Sequence, residues 1–161
     1  MMAKSYIDVV KGALNLLYTR DDIAYFYGAK GQRLTDDVMN ILWNSYPGYF
    51  CKYNDDQKQY IFDYSRNKIG GDCSWLTGTL FDDMTYSGAQ RKHCSAITTP
   101  KDGVAGSLLY KPGHVGVDVG YGYFIHLPEE GRTVELGKIS DYNWTESGRH
   151  SNVDYMGASN V

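Results

Sequence analysis

The feature that most constrains the fold is a change of pattern near Pro100. After this residue, glycines punctuate short runs of β-forming residues, and six glycines fall within residues 103–122. Strand-length runs separated by turn signals indicate an antiparallel sheet. The runs read GSLLYK, HVGVDVG, YFIHLP and RTVELG, and VDYMG near the end is a further candidate for an edge strand. The second half of the chain is therefore predicted to form a β-sheet.

Before this change, apolar residues recur at helical spacing. One helix is predicted to follow Ser5 and a second to follow Thr35, because both residues are suitable N-caps. A third is predicted over about residues 55–67, closed by the glycine pair that follows, and a fourth begins at Cys73. Helices followed by an antiparallel sheet make an α+β arrangement. We therefore predict one α+β domain over residues 1–161.

Composition argues against several functional classes. The chain has 16 Lys and Arg against 19 Asp and Glu, with no run of like charges, so no nucleic-acid partner is expected. No apolar stretch approaches the roughly 20 residues of a membrane span. The chain has three cysteines, and this small, odd number argues against a disulfide framework. Cys51, and Cys94 beside His93, are interpreted as structural residues.

The N-terminus resembles an amphipathic helix and has no small-residue cleavage site, so no signal peptide is predicted. We expect synthesis in the cytoplasm, followed by release or delivery to the place of action.

The stretch GGDCSW places Cys73 directly after two glycines and Asp72, at the start of a predicted helix. A helix N-terminus is expected to lower the pKa of a thiol, and the N–H of Cys73 could face a developing oxyanion. Asp72 and Ser74 suit capping of the same helix. A lone cysteine in an apolar setting is more often a small buried residue, so this stretch does not decide the matter by itself.

Two of the four histidines lie in PGHVGVDVGYGYFIHLP. If residues 120–122 form a three-residue hairpin loop, Gly116 lies opposite His126, and His114 becomes a diagonal neighbour of His126 on the same face. One ring could then be the base for a thiol and the other its orienter. A loop one residue longer or shorter would separate the rings and leave Asp118 as the orienter.

Three motifs in this order resemble the NlpC-type cysteine peptidases, papain-like hydrolases of bacterial peptidoglycan. They read IAYFYGAKGQ, GGDCSWLTGTLF and PGHVGVDVGYGYFIH. The resemblance implies that Cys73 is the nucleophile, His114 the general base and His126 the orienting third residue. It places Tyr25 as a wall or polarising group near the oxyanion site. It also implies hydrolysis, without a cofactor, of an amide bond in the wall stem peptide, often between γ-linked D-glutamate and a diamino acid.

Asp72, Ser74 and Trp75 are expected to join Tyr25 around the substrate and the oxyanion. Trp75 stands where the family usually has glycine, so a narrowed or reshaped groove is predicted. The long segment between two glycines at residues 28 and 70 resembles the expanded versions on phage-tail and prophage lysins. Peptidoglycan is the expected partner. A phage tail, a secretion apparatus and an immunity protein are the further partners to consider.

Three alternatives remain open. A CHAP-like amidase shares the order of cysteine and histidine. A zinc hydrolase could use His114 and His126 with His150 or Asp118. A non-catalytic wall-binding or tail-structural module could have kept the fold. Loss of lysis on thiol alkylation favours a cysteine enzyme, loss only with a chelator favours zinc, and binding without new amines favours the inert module.

Overall fold

The computed structural model describes residues 3–160, in which six α-helices accompany three sheets. The helices are α1 (Tyr6–Tyr18), α2 (Asp36–Ser45), α3 (Pro47–Phe50), α4 (Asp55–Ser65), α5 (Cys73–Phe81) and α6 (Ser87–Lys92). The strands are β1 (Lys4–Ser5), β2 (Ile23–Tyr25), β3 (Lys30–Arg33), β4 (Ile69–Gly71), β5 (Cys94–Thr98), β6 (Leu108–Lys111), β7 (His114–Gly120), β8 (Tyr123–His126), β9 (Glu135–Lys138), β10 (Glu146–His150) and β11 (Val153–Asp154).

The predicted N-caps begin their helices. The Ser5 hydroxyl accepts a hydrogen bond from the backbone N–H two residues later at 3.1 Å, and α1 starts there. The Thr35 hydroxyl accepts from the N–H three residues later at 3.2 Å, and α2 starts there. Each cap satisfies a backbone donor that the first turn of a helix leaves without an intrahelical acceptor.

The large sheet is antiparallel, with strand order β5-β10-β6-β7-β8-β9. Four of its strands, β6 to β9, coincide with the four glycine-separated runs of the sequence. VDYMG does not extend this sheet. Val153 and Asp154 form β11, which pairs in parallel with β1 in a separate two-stranded sheet.

The glycine pair at Gly70 and Gly71 was predicted to close the third helix, and that prediction is wrong. Helix α4 ends at Ser65, and the two glycines lie in β4, between β2 and β3 of a three-stranded sheet. A Cβ on Gly70 would lie 2.6 Å from Leu34, and one on Gly71 would lie 2.1 Å from Trp75. The glycines are needed because side chains pack directly onto this strand.

Helices α1 and α5 cover one face of the large sheet. Val115 and Val117 of β7 are fully buried against them, in one cluster with Val9 and Leu76. The opposite face of β7 carries His114, since successive side chains of a strand alternate between faces. The predicted α+β class is confirmed. Among residues 3–160, no helix combines the length and the apolarity needed to cross a bilayer.

Candidate active site

A cleft of about 670 Å³ opens between the start of α5 and the start of β7. Five of the residues singled out in the sequence line it: Tyr25, Asp72, Cys73, Ser74 and His114. Three different elements supply them, because β2, α5 and β7 converge at this end of the molecule. The fold therefore gathers residues that are separated by up to 89 positions in the chain.

Cys73 is the first residue of α5, and its side chain is 8% exposed. Asp72 caps the helix, and its carboxylate accepts from the Trp75 N–H at 2.9 Å. Burial and, to a lesser extent, the negative charge of Asp72 raise the pKa of the Cys73 thiol to about 12. The N–H groups of Val115, Ser74 and Cys73 lower this pKa but do not compensate. The expectation of a lowered thiol pKa is thus wrong for the unliganded cleft, where burial outweighs the helix terminus.

The two histidines meet on one face of the β7–β8 hairpin. Nε2 of His114 lies 2.8 Å from Nδ1 of His126, and the two residues are 8% and 4% exposed. His114 lines the cleft, whereas His126 lies behind it. The second ring nitrogen of His114, Nδ1, is left for the cleft. The Val115 N–H beside it acts on the Cys73 sulfur, so His114 and the thiol are neighbours.

The two histidines lie on the same face of the hairpin, as predicted, but the loop that joins the strands differs from the predicted one. The loop has two residues, Tyr121 and Gly122, with φ of 57° and 81°. Positive φ at both positions is typical of a type I′ turn. A register shift between Asp118 and Gly120 adds one residue to β7. The extra residue in the bulge compensates for a loop that is one residue shorter than predicted. Val117 therefore pairs with Ile125, which is the register that the three-residue loop predicts.

Aromatic rings enclose the histidine pair. Trp144 stacks on His114, with ring centroids 5.3 Å apart and planes at 8°, and Tyr142 lies 5.2 Å from His126. A Cβ on Gly116 would meet the Trp144 ring at 2.8 Å. The glycine opposite His126 therefore makes room for the tryptophan. Neither Tyr142 nor Trp144 was singled out from the sequence, because no local motif marks them.

Burial keeps both rings neutral at neutral pH. It lowers the pKa of His114 to about 3 and that of His126 to about 4. The positive charge of His126, when that ring is protonated, and that of Lys111 contribute to the low pKa of His114. A neutral imidazole has one N–H. If His114 Nε2–H donates to His126 Nδ1, the lone pair of His114 Nδ1 is left for the cleft that Cys73 also lines, and this is the tautomer that a general base needs.

Tyr25 ends β2, where it pairs with Gly71, two residues before the thiol. Its side chain is 6% exposed. Burial, the charge of Cys73 and that of Tyr49 all raise the pKa of Tyr25, so its hydroxyl stays protonated. Trp75 behaves differently from the expectation. Its ring packs on Gly71 and on the strand beside it and does not line the cleft, so it supports the small sheet and does not narrow the groove.

The long segment between residues 28 and 70 builds one wall of the cleft. It contributes Tyr49 and Lys52, whose ammonium lies 3.8 Å from the Tyr49 ring centroid. The hydroxyls of Tyr49 and Tyr53 both donate to Oε1 of the buried Glu130, at 2.8 and 2.7 Å. Sequence reasoning missed Glu130, since an isolated glutamate carries no local signal. The 15 tyrosines of the sequence are consistent with such a cluster but do not locate it.

The zinc set of the alternative interpretation, His114 and His126 with His150 or Asp118, does not appear as a group with metal-ligand spacing among the described residues. Among the described residues, one group has metal-ligand spacing, and it consists of Asp83, His93 and His150, none of which lines the cleft. His150 Nδ1 accepts from the Asn152 N–H at 3.1 Å, so its Nε2 carries the proton and donates to Asp83 Oδ2 at 2.8 Å. That nitrogen has no lone pair for a metal. The group is a hydrogen-bonded junction between α5, α6 and β10.

Solved structures with NlpC/p60 domains resemble this chain. The NlpC/p60 domain of the peptidoglycan hydrolase SagA matches 90% of this chain and 98% of its own, with 18% identity and a TM-score of 0.55. NlpC1 from Trichomonas vaginalis matches 89% of this chain with 19% identity and a TM-score of 0.54. The match covers 44% of NlpC1, so this chain spans less than half of that protein. The peptidoglycan hydrolase RipB from Mycobacterium tuberculosis matches 93% of this chain and 67% of its own, with 16% identity and a TM-score of 0.53.

No family model and no curated protein sequence matches the chain. The structural matches nevertheless show the fold that the resemblance implied. The chain has the papain-like α+β fold of NlpC/p60 domains.

Proposed function

We propose that this chain is an NlpC-type cysteine peptidase that hydrolyses an amide bond in the peptide stem of peptidoglycan. One observation carries the proposal. Cys73, at the first position of α5, shares a cleft with His114, whose other nitrogen is hydrogen-bonded to His126 at 2.8 Å. A nucleophile, a base and an orienter in this order are what acyl transfer through a thioester requires.

The chemistry begins from a neutral pair. The raised pKa of Cys73 and the lowered pKa of His114 keep the thiol and the imidazole uncharged in the empty cleft. The sulfur attacks the substrate carbonyl while its proton passes to His114 Nδ1. The resulting imidazolium is stabilised by donation from Nε2–H to His126. Transfer is thus coupled to attack and does not need a thiolate formed beforehand.

The N-terminus of α5 supplies donors for the developing oxyanion. The first N–H groups of a helix have no intrahelical acceptor, and those of Cys73 and Ser74 already point toward the sulfur. Collapse of the tetrahedral intermediate breaks the C–N bond, and His114 returns the proton to the leaving amine. Water then attacks the thioester, with His114 again accepting the proton, and free Cys73 is restored.

The charges of the cleft suit a stem peptide. Lys52, Lys111 and Arg132 line it together with Asp72 and Glu129. A stem peptide carries both carboxylates and amines, so a cleft with both signs of charge can orient it along the nucleophile. The bond between γ-linked D-glutamate and the diamino acid is the proposed scissile bond. Two of the structural neighbours are named as peptidoglycan hydrolases, which supports this substrate class.

Mass spectrometry of muropeptides tests the proposal. Purified walls of several chemotypes are incubated with the protein and with its Cys73→Ala variant, and the soluble fragments are sequenced by fragmentation. We expect stem peptides cut after D-glutamate, with a new amine on the diamino acid, and none with the variant. A cut between the glycan and the first amino acid indicates the CHAP-like amidase. Walls bound but not cut indicate the inert module.

Delivery is a separate part of the proposal. We propose that the protein reaches the wall as a phage or prophage lysin, on a tail particle or through a secretion apparatus. Immunoblotting of phage particles, culture supernatant and cytoplasm from a producing strain distinguishes these routes. All three routes are contradicted if the protein is found only in the cytoplasmic fraction, both when phage lyse the cells and when the secretion apparatus is active.

A further inference from the structure

A second cavity lies beyond the histidines, on the same face of β7. Its volume is about 460 Å³, within the range of small-molecule sites. Three connections line it, namely the one that follows β5, the β7–β8 turn and the one that follows β9, and Asn160 near the end of the chain joins them. Tyr142 borders both this cavity and the catalytic cleft. The cavity and the catalytic cleft therefore lie on either side of one shared ring.

Asp118 brings a buried carboxylate to this cavity. The residue is 4% exposed, and its Oδ1 accepts from the Gly120 N–H at 2.8 Å. Among the described residues, Asp118 forms no ion pair, and Oδ2 has no hydrogen-bond donor. Burial raises its pKa to about 6, so the carboxylate is largely ionised at neutral pH. A buried charge without a counter-ion is costly, and a cationic ligand would remove the cost.

The turn does not require this charge. Asp118 accepts from the N–H two residues later, and an asparagine side chain offers the same carbonyl oxygen for that bond. The tautomer and orientation of the catalytic histidines do not use Asp118 either, because His126 occupies the place of the orienter. The carboxylate is thus left without a role in the hairpin or in the proposed chemistry.

A cation also lines this cavity. Lys101 lines the cavity, is exposed, and forms no ion pair with the described residues. Tyr121 and Tyr142 add aromatic faces, and the hydroxyls of Thr99 and Ser140 add polar atoms. One fixed negative group, one mobile positive group and apolar ring surfaces between them match a ligand with an ammonium, a carboxylate and a side chain.

We propose that this cavity binds the zwitterionic end of an amino acid, with its ammonium on Asp118 and its carboxylate on Lys101. Asp118 provides most of the selectivity, because it is buried and fixed, whereas the lysine is solvated at the rim. The site is separate from Cys73 and does not require that the thiol be a nucleophile.

Titration of the whole protein with norleucine, followed by NMR at the Gly120 and Gly122 amides, tests the site. For a ligand of this size a Kd on the order of 1 mM is expected. N-acetyl-norleucine lacks the ammonium and norleucine amide lacks the carboxylate, so they are matched controls. We expect the acetylated probe to bind at least about tenfold more weakly and the amide to lose less.

Two variants separate the ligand site from a structural role. Asp118→Asn keeps the turn acceptor and should weaken norleucine by at least about tenfold, while Lys101→Met should weaken it less. A carboxyl whose pKa is raised on folding destabilises the fold as pH rises through that pKa. Asp118→Asn should therefore unfold at a higher temperature than the wild type at pH 8, with the difference vanishing toward pH 4.

Three results would each overturn the assignment. They are no saturable shift below about 50 mM, equal binding of the acetylated probe, and equal binding by Asp118→Asn. Cys73→Ala should bind norleucine as the wild type does. Because this binding does not depend on the thiol, the site can be confirmed or refuted independently of the wall-hydrolase proposal.

Discussion

Replacement of His126 by alanine is the most informative change in the histidine pair. It removes the acceptor that lies 2.8 Å from His114 Nε2, at a site where both residues are buried. An unpaired buried donor costs about 1–3 kcal/mol. Loss of the orienter should also lower kcat by about 10²–10⁴, because the base no longer holds one tautomer. Stem-peptide hydrolysis and thermal unfolding measure the two effects separately.

The asparagine variant is the matched control for this prediction. His126→Asn retains a side-chain acceptor and should recover part of the loss in kcat, whereas His93→Asn, outside the cleft, should keep wild-type activity. KM should change less than kcat in His126→Ala, since His126 does not line the cleft. Wild-type kcat in a folded His126→Ala protein would refute the role given to His126.

Three further predictions concern the cleft and its support. Tyr49→Phe and Tyr53→Phe each remove one hydroxyl from Glu130 and should each cost about 1 kcal/mol of stability. Of these two tyrosines, Tyr49 lines the cleft and Tyr53 does not, so Tyr49→Phe should lower kcat/KM and Tyr53→Phe should not. Equal losses of kcat/KM in the two variants would contradict this. Gly116→Ala puts a Cβ 2.8 Å from Trp144, so unfolding by denaturant should show a loss of about 1–3 kcal/mol, and an unchanged midpoint would count against this packing. Because the base has a pKa of about 3, kcat/KM should stay level through mildly acidic pH and fall only as that ring is protonated. A midpoint near the ordinary histidine value of about 6.5 would show that the ring is not buried as described.

Local signals predicted the parts of the fold that depend on neighbouring residues. Ser5 and Thr35 marked helix starts because an N-cap acts within one turn, and glycines marked four strands because they bound short runs. Strands β5 and β10 were missed, since they pair with partners distant in sequence. Gly70 and Gly71 were misread as a helix end, although packing of Leu34 and other side chains onto them requires glycine in a strand.

The site was predictable to the same extent. The motif order singled out Cys73, which the structure places in the cleft at the start of α5. Strand alternation predicted His114 and His126 on one face, and they lie there even though a bulge and a shorter loop replace the predicted turn. The thiol pKa was predicted in the wrong direction, because burial depends on the whole fold and a sequence motif reports only the helix terminus. The aromatic enclosure was beyond prediction, since Trp144 reaches the histidines from a loop with no motif.

The rate of stem-peptide hydrolysis by Cys73→Ala, compared with the wild type on one purified muropeptide, tests the central claim most directly. Thermal unfolding first establishes that the variant is folded. The thioester route predicts a loss of at least about 10⁴ in kcat/KM, because the alanine side chain has no sulfur to form the thioester. A variant that retains activity within about tenfold of the wild type would contradict the assignment of Cys73 as the nucleophile.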